Sequence, residues 1–333
     1  MKSNRLLLSV FGTLALIAIY FLKFNDQNTS LKGGDWDFAV KDTAGLSRIF
    51  LADAAGKTAL LERHSTGWTV NGSKTVRKDA IANLLETIHN VEILTRLPRP
   101  AVPNVIKDIA TNKIKVEIYS GQTKLKCYYL GGVNQDETGV NMIMEDSNEP
   151  YICSLPQWTG NIRIRYITDE TTWRDRTVFN EEVENILSVS VDYPLQKSKS
   201  FKMTRSDANY QVVPFYELTL PFHRPVNKGL TEAFLTGFKK QVAEGFENDN
   251  PQRDSIQRTT PFAIISLKTL NGHEKTIKLF PIIPTGLDGN VRVAPQGGLN
   301  FERYYAQTND GDFMMVQNLN FQRILWGYDV FFQ

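Results

Sequence analysis

Cysteine and histidine are scarce in this chain, two and four among 333 residues. With so few cysteines, disulfides are excluded as the main source of stability. Cys127 and Cys153 fall on the first and third of three expected strands, Leu125–Leu130, Gly139–Met144 and Tyr151–Leu155, so in a simple meander a bond would have to span a whole strand, and both read as buried free thiols. None of His64, His89, His223 and His273 stands three to five residues from another histidine, and HExxH and CxxC settings are missing. Any metal site would need assembly by tertiary contact alone, so no metal or cofactor is expected. GxSxG, GxxxxGK[ST] and GxGxxG are also missing, which removes the sequence signals for hydrolase, P-loop and dinucleotide chemistry. Charge of one sign is lacking too: 38 basic against 36 acidic residues leave a net charge of +2 and no electrostatic case for nucleic acid.

What is present begins with one long apolar run, Leu6–Leu22, which carries no charge. As a helix it reaches about 26 Å, enough for a hydrocarbon core. Lys2 and Arg5 precede it, which by the positive-inside bias keeps the N-terminus cytoplasmic and the remainder outside. Past the core stand Tyr20, Phe21, Leu22, Lys23 and Phe24, without the small-residue pair of a cleavage site. The run therefore reads as an uncleaved signal anchor, with a cleaved signal peptide as the alternative. The expected address is the inner membrane, single-pass, with a periplasmic ectodomain.

Hydrophobic content of 41% with 11% aromatics suits a globular body rather than a stalk. The domain reading is residues 1–24 as cytoplasmic tip and anchor, 25–35 as a polar linker, 36–170 as a first α+β repeat, 171–186 as a junction and 187–333 as a second repeat. In the first repeat, strands are expected at Ser47–Ala52, Thr58–Arg63 and Gly67–Val70. A helix over Val76–Asn90 follows from Ile81, Leu84, Leu85 and Ile88 at 3.6-residue spacing. A Pro-containing connection and a short helix near Val105–Ala110 lead to a meander, Lys115–Tyr119, Leu125–Leu130, Gly139–Met144 and Tyr151–Leu155, with one turn at Gly131-Gly132. The second half repeats this order. Ala59–Val70 sets against Phe201–Val212 without a gap, Tyr210 opposite Trp68. A helix is expected over Lys228–Phe246, and closing strands at Glu302–Gln307 and Asp312–Gln317. The fold class is thus α+β, an anchor followed by a duplicated, mainly antiparallel sheet-plus-helix ectodomain.

Acidic clusters at Gln135-Asp136-Glu137 and Asn309-Asp310-Gly311-Asp312 read as tight turns. Gly297-Gly298 reads as a plain turn. The C-terminal ILWGYDVFF reads as a last core strand, or as a sheet edge open to a partner's strand. The tetrad Trp173-Arg174-Asp175-Arg176 is the densest cluster. Two guanidinium groups flank one carboxylate, either to clasp the two halves or to leave one arginine for an anionic ligand; the clasp is the favoured reading.

The anchor, the opening FAVKDTAGLSRIFLAD…LLER…GWTVNG, the helix end LLETIHNVEI, the GVNMIMEDSNEPYICSLP meander and TTWRDR together resemble a bacterial, Bacteroidetes-type envelope family catalogued as a domain of unknown function. Related domains accompany accessory subunits of gliding-type ABC transporters. The resemblance covers roughly residues 36–176 and brings no catalytic residues. It implies an envelope location and partnership with a transport or export complex. The expected function is a membrane-anchored binding or scaffold protein and not an enzyme; the alternative is a periplasmic hydrolase acting on an envelope glycan through carboxylates.

Overall fold

A computed structural model describes residues 36–158, 160–207, 209–283 and 301–333. The expected anchor Leu6–Leu22, the linker and Gly297-Gly298 lie outside the described residues. No helix among the described residues is long and apolar enough to cross a membrane. The described chain is α+β with mostly antiparallel sheets and few helices, and it divides into two compact units at Arg174/Asp175.

In the first unit the order is β1 (Arg48–Asp53), β2 (Thr58–His64), β3 (Gly67–Val70), β4 (Lys74–Thr75), α1 (Lys78–Asn90), β5 (Glu92–Arg96), α2 (Val102–Asn112), β6 (Ile114–Ser120), β7 (Thr123–Val133), β8 (Val140–Met144) and β9 (Tyr151–Ser154). The strands form one sheet, β4-β3-β2-β1-β6-β7-β8-β9-β5. Period-2 alternation puts Ile49, Leu51, Leu61, Val116 and Ile118 on the core face. Helix α1 turns Ile81, Leu84 and Ile88 into the same core. Leu84 and Ile88 are fully buried, each contributing about 1.5–3 kcal/mol relative to exposure. The first turn of α1 lacks a side-chain cap; the Arg77 N–H, just before it, donates instead to Trp173 O at 2.8 Å.

The second unit runs β10 (Thr177–Phe179), β11 (Ile186–Asp192), β12 (Phe201–Ser206), β13 (Asn209–Pro214), α3 (Lys228–Thr236), β14 (Gln241–Val242), β15 (Gly245–Phe246), β16 (Ala263–Thr269), β17 (Glu274–Pro281), β18 (Arg303–Thr308) and β19 (Phe313–Gln317). Its main sheet is ordered β13-β12-β11-β16-β17-β18-β19-β15, and β10 pairs with β14. Strand for strand, this is the first sheet without β4. In each unit the principal helix lies in sequence between the third strand and the strand that closes the far edge, β5 or β15. The ungapped alignment carries through to contacts. Arg63 pairs in register with Trp68 and Arg205 with Tyr210, while Leu61 and Met203 are both fully buried.

Three local expectations are corrected. Gly131-Gly132 is no turn; it lies inside β7, where the β7–β8 register shifts. A Cβ on Gly131 would stand 2.6 Å from Ile109 of α2, so the glycines let that helix lie directly on the strand. The helix expected over Lys228–Phe246 ends at Thr236. Its apolar stripe holds through Phe234 and Phe238, but Val242 is exposed, and Lys240 takes a positive φ of 57° as the chain turns into β14. The C-terminal ILWGYDVFF makes 3-10 turns rather than a strand. Its rings are core nonetheless: Phe331 meets Phe201 at 4.8 Å and Phe234 at 5.3 Å between centroids, both edge-on.

Candidate functional site

A polar network lies on the face of the first sheet away from its core. Alternation on β6 sends Lys115, Glu117 and Tyr119 outward while Val116 and Ile118 go in. Register then sets Tyr129 of β7 opposite Lys115, Cys127 opposite Glu117 and Lys124 opposite Tyr119. Glu145, just past β8, completes the group. Lys115 Nζ lies 2.7 Å from Glu117 and 3.8 Å from Glu145, and Lys124 Nζ lies 2.6 Å from Glu145. The Tyr119 hydroxyl donates to Glu117 Oε2 at 2.8 Å, and the Arg48 guanidinium stands 4.1 Å from the Tyr119 ring centroid.

The electrostatics follow from this geometry. Burial alone would raise the Glu117 carboxyl, but the Lys115 and Tyr119 hydrogen bonds outweigh it and hold the group below its ordinary value. The Lys124 hydrogen bond likewise holds Glu145 down, against a smaller opposing effect of burial. Lys115 is pushed well up by its bond to Glu117. Burial, with the Glu145 carboxylate beside it, pushes the Cys127 thiol up to about 12. Every one of these groups is displaced away from neutrality, so at pH 7 they are fixed charges and a fixed neutral thiol.

Glu117, Cys127 and Glu145 bring one ligand atom each to within 4.8 Å of one another. As a metal centre the set fits poorly. Both carboxylates already hold ammonium groups, and the thiol would have to ionise against a strongly raised pKa. The arrangement holds paired charge on a partly exposed sheet face, Glu117 being 17% exposed and Glu145 28%.

The tetrad lies elsewhere, each residue placed within its own unit. Trp173 is fully buried in the first core and its indole N–H donates to Ile167 O at 2.7 Å. Arg174 is buried and bridges Val76 through the backbone. Asp175 is exposed and accepts from the Thr177 amide and hydroxyl at 3.0 and 2.7 Å. The Arg176 guanidinium donates to Glu244 O, and its carbonyl accepts from the Ala243 amide. The histidines are equally local: His64 meets Thr69 Oγ1 at 3.0 Å and His89 Nδ1 meets Lys41 O at 2.8 Å. Cys127 and Cys153 are both free and buried.

Among the described residues of the second unit, a cleft of about 630 Å³ is lined by Ala233, Thr236, Gly237, Gln322, Arg323 and Trp326, and one of about 190 Å³ by Lys202, Thr204, Ser266 and Glu274 among others. A third, about 210 Å³, is lined by Glu184, Arg205, Asn209, Tyr210, Lys228 and Glu232 among others. This third cleft is below the usual range of small-molecule sites. Its polar floor is already committed: the Tyr210 hydroxyl shares its one proton between Ile186 O and Val183 O, and Arg205 donates to Glu184 O.

The outward network was missed by sequence reasoning. Its one linear trace is the Lys-x-Glu-x-Tyr alternation of 115–119; the other members come from register. The chain matches no family model and no curated protein sequence.

Proposed function

We propose that this is a membrane-anchored binding or scaffold protein of the bacterial envelope, working through the surfaces of a periplasmic ectodomain rather than through catalysis. The observation that carries it is the geometry of the outward network, in which Lys115 Nζ lies 2.7 Å from Glu117 and Lys124 Nζ 2.6 Å from Glu145, with the buried Cys127 thiol beside them. A general acid or base works near its own pKa, and here Glu117 and Glu145 are held down while Lys115 and the Cys127 thiol are held up. Charges paired in this way on a partly exposed face offer a fixed pattern for recognition rather than a proton shuttle. The anchor at residues 6–22 and the envelope-family resemblance supply the location and the link to a transport or export complex.

The shared strand order, the in-register Arg63/Trp68 and Arg205/Tyr210 pairs and the equivalent helix positions support an origin of the two units by tandem duplication. On that reading the Trp173–Arg176 tetrad, which spans the junction, has a structural role rather than a ligand-binding one.

The test is crosslinking of the full chain in its native membrane, comparing the parent with Glu117→Lys and Glu145→Lys together. Recovery of an envelope protein with the parent and its loss with the double variant supports the reading. Equal recovery from both removes the network from the interface. Hydrolysis of an envelope glycan by the purified chain, with no partner recovered, would replace the reading with the hydrolase alternative.

A further inference from the structure

The strap that follows β13, Phe215 to Val226, carries apolar side chains where a soluble surface has no use for them. Leu218 is 99% exposed and Leu220 86%, and Leu195, in the turn between β11 and β12, is 79% exposed. Scattered exposed leucines need no explanation, but these stand on a strap that is pinned at both ends. At its start the Phe215 amide donates to Ser200 O at 3.1 Å and the Tyr216 hydroxyl to Asp192 Oδ1 at 2.8 Å. At its end the Phe222 ring stacks on Phe332 at 4.9 Å, and the Asn227 amide donates to Phe331 O. Between the pins a turn, Thr219 N–H to Tyr216 O at 3.0 Å, holds the leucines outward.

The flanks are cationic and aromatic. Lys197 Nζ lies 5.2 Å from the Tyr216 ring centroid and Lys202 Nζ 4.6 Å from that of Phe215. Lys197 belongs to the turn that carries Leu195, so that turn and the strap meet. Exposed His223 and Arg224 follow the leucines. The opposing charges are Glu217 beside Leu218, Asp192, which is engaged by Tyr216, and Asp329, which is paired with Lys199 of the same turn as Lys197.

We infer that this strap is a lipid-contacting loop, which seats Leu218 and Leu220 in the headgroup boundary of an anionic bilayer. A side chain exposed on nearly all sides needs surroundings that close around it from every direction. A fluid interface does this without a preformed pocket, whereas a rigid partner needs a socket for each tip. Tyr216, Lys197, Lys202 and Arg224 stand where an interfacial aromatic and snorkelling cations would meet the phosphates. The inference goes beyond the proposed anchor, because the contact is made by the second unit and does not require residues 6–22 to span.

The test labels Leu218→Cys in the full chain with an environment-sensitive thiol dye, in vesicles of phosphatidylcholine with or without phosphatidylglycerol. The native thiols are buried, so the parent supplies the background, and Ala55→Cys in an exposed turn supplies a water-facing control. The expected result is a blue-shifted emission, quenched by spin-labelled lipid, from position 218 alone. It should strengthen with phosphatidylglycerol and weaken in high salt. Leu220→Glu in the same background should lower the lipid-inserted fraction about tenfold. Water-like emission from position 218, while the parent sediments with the vesicles, overturns the loop and leaves the anchor standing. Failure of the chain to sediment with either vesicle overturns both. A shift that grows with protein concentration in the absence of lipid means self-association and also overturns the loop.

Discussion

Two glycines of helix α3 should respond to the same substitution with opposite signs. Gly237 follows the last turn with φ −59° and ψ −21°, a conformation that alanine adopts freely. By backbone entropy alone, Gly→Ala there would stabilise by about 0.4–1 kcal/mol. The surroundings reverse this. An added Cβ would lie 2.8 Å from Ile324 Cγ2, 2.8 Å from Phe234 O and 2.9 Å from Arg323 O. Two of the three obstacles are main-chain oxygens, which cannot swing aside as a side-chain end can. Overpacking of this kind costs about 1–3 kcal/mol, so Gly237→Ala should destabilise on balance. At Gly229, in the first turn of the same helix, a Cβ would meet only Asn227 Oδ1 at 3.4 Å. There alanine should stabilise by roughly 0.5–1 kcal/mol. For a unit of this size each kcal/mol moves the melting temperature by about 2–4 °C. Calorimetry of the two variants against the parent is the assay. If Gly237→Ala melts at or above the parent, the C-terminal turns do not pack on α3 as described.

Further outcomes follow from the buried groups. Cys127, pushed up to about 12, and Cys153, raised further by burial, should resist alkylation at pH 8 in the native chain and react fully in denaturant; fast native labelling would show that the first sheet opens. Glu117 and Glu145 have folded pKa values below their unfolded ones, so their contribution to stability is present above the unfolded value, near pH 4.3, and is lost as pH falls through the lowered values. Glu117→Gln should therefore shrink the acid-side fall in melting temperature, and an unchanged profile would remove the network from the acid transition. Trp173→Phe should cost about 1–3 kcal/mol, because Ile167 O loses its donor and the indole leaves unfilled core space; a melting temperature equal to the parent's would contradict the packing.

What the sequence reveals and what it hides divide along the range of the interactions. Helix α1 was legible because Ile81, Leu84 and Ile88 recur at helical spacing, and they are the residues that face the core. The strands of both units were legible wherever one face is buried, since alternation is a local signal. Strands β5 and β15 were not: β5 exposes four of its five residues outright, and β15 has only two residues. Each exists because β9 or β19 offers an unpaired edge, a fact located roughly sixty residues away for β5 and roughly seventy for β15. The failed turn at Gly131-Gly132 has a related cause, because the same two glycines suit a turn or a strand beneath a helix. Only the position of Ile109 chooses between them. The outward network is the extreme case. Lys115, Glu117 and Tyr119 look like ordinary solvent-facing positions until register sets Cys127 and Lys124 opposite them. A side-chain network built by cross-strand register leaves almost no linear motif, whereas a nucleotide loop or a zinc knuckle is written in consecutive residues.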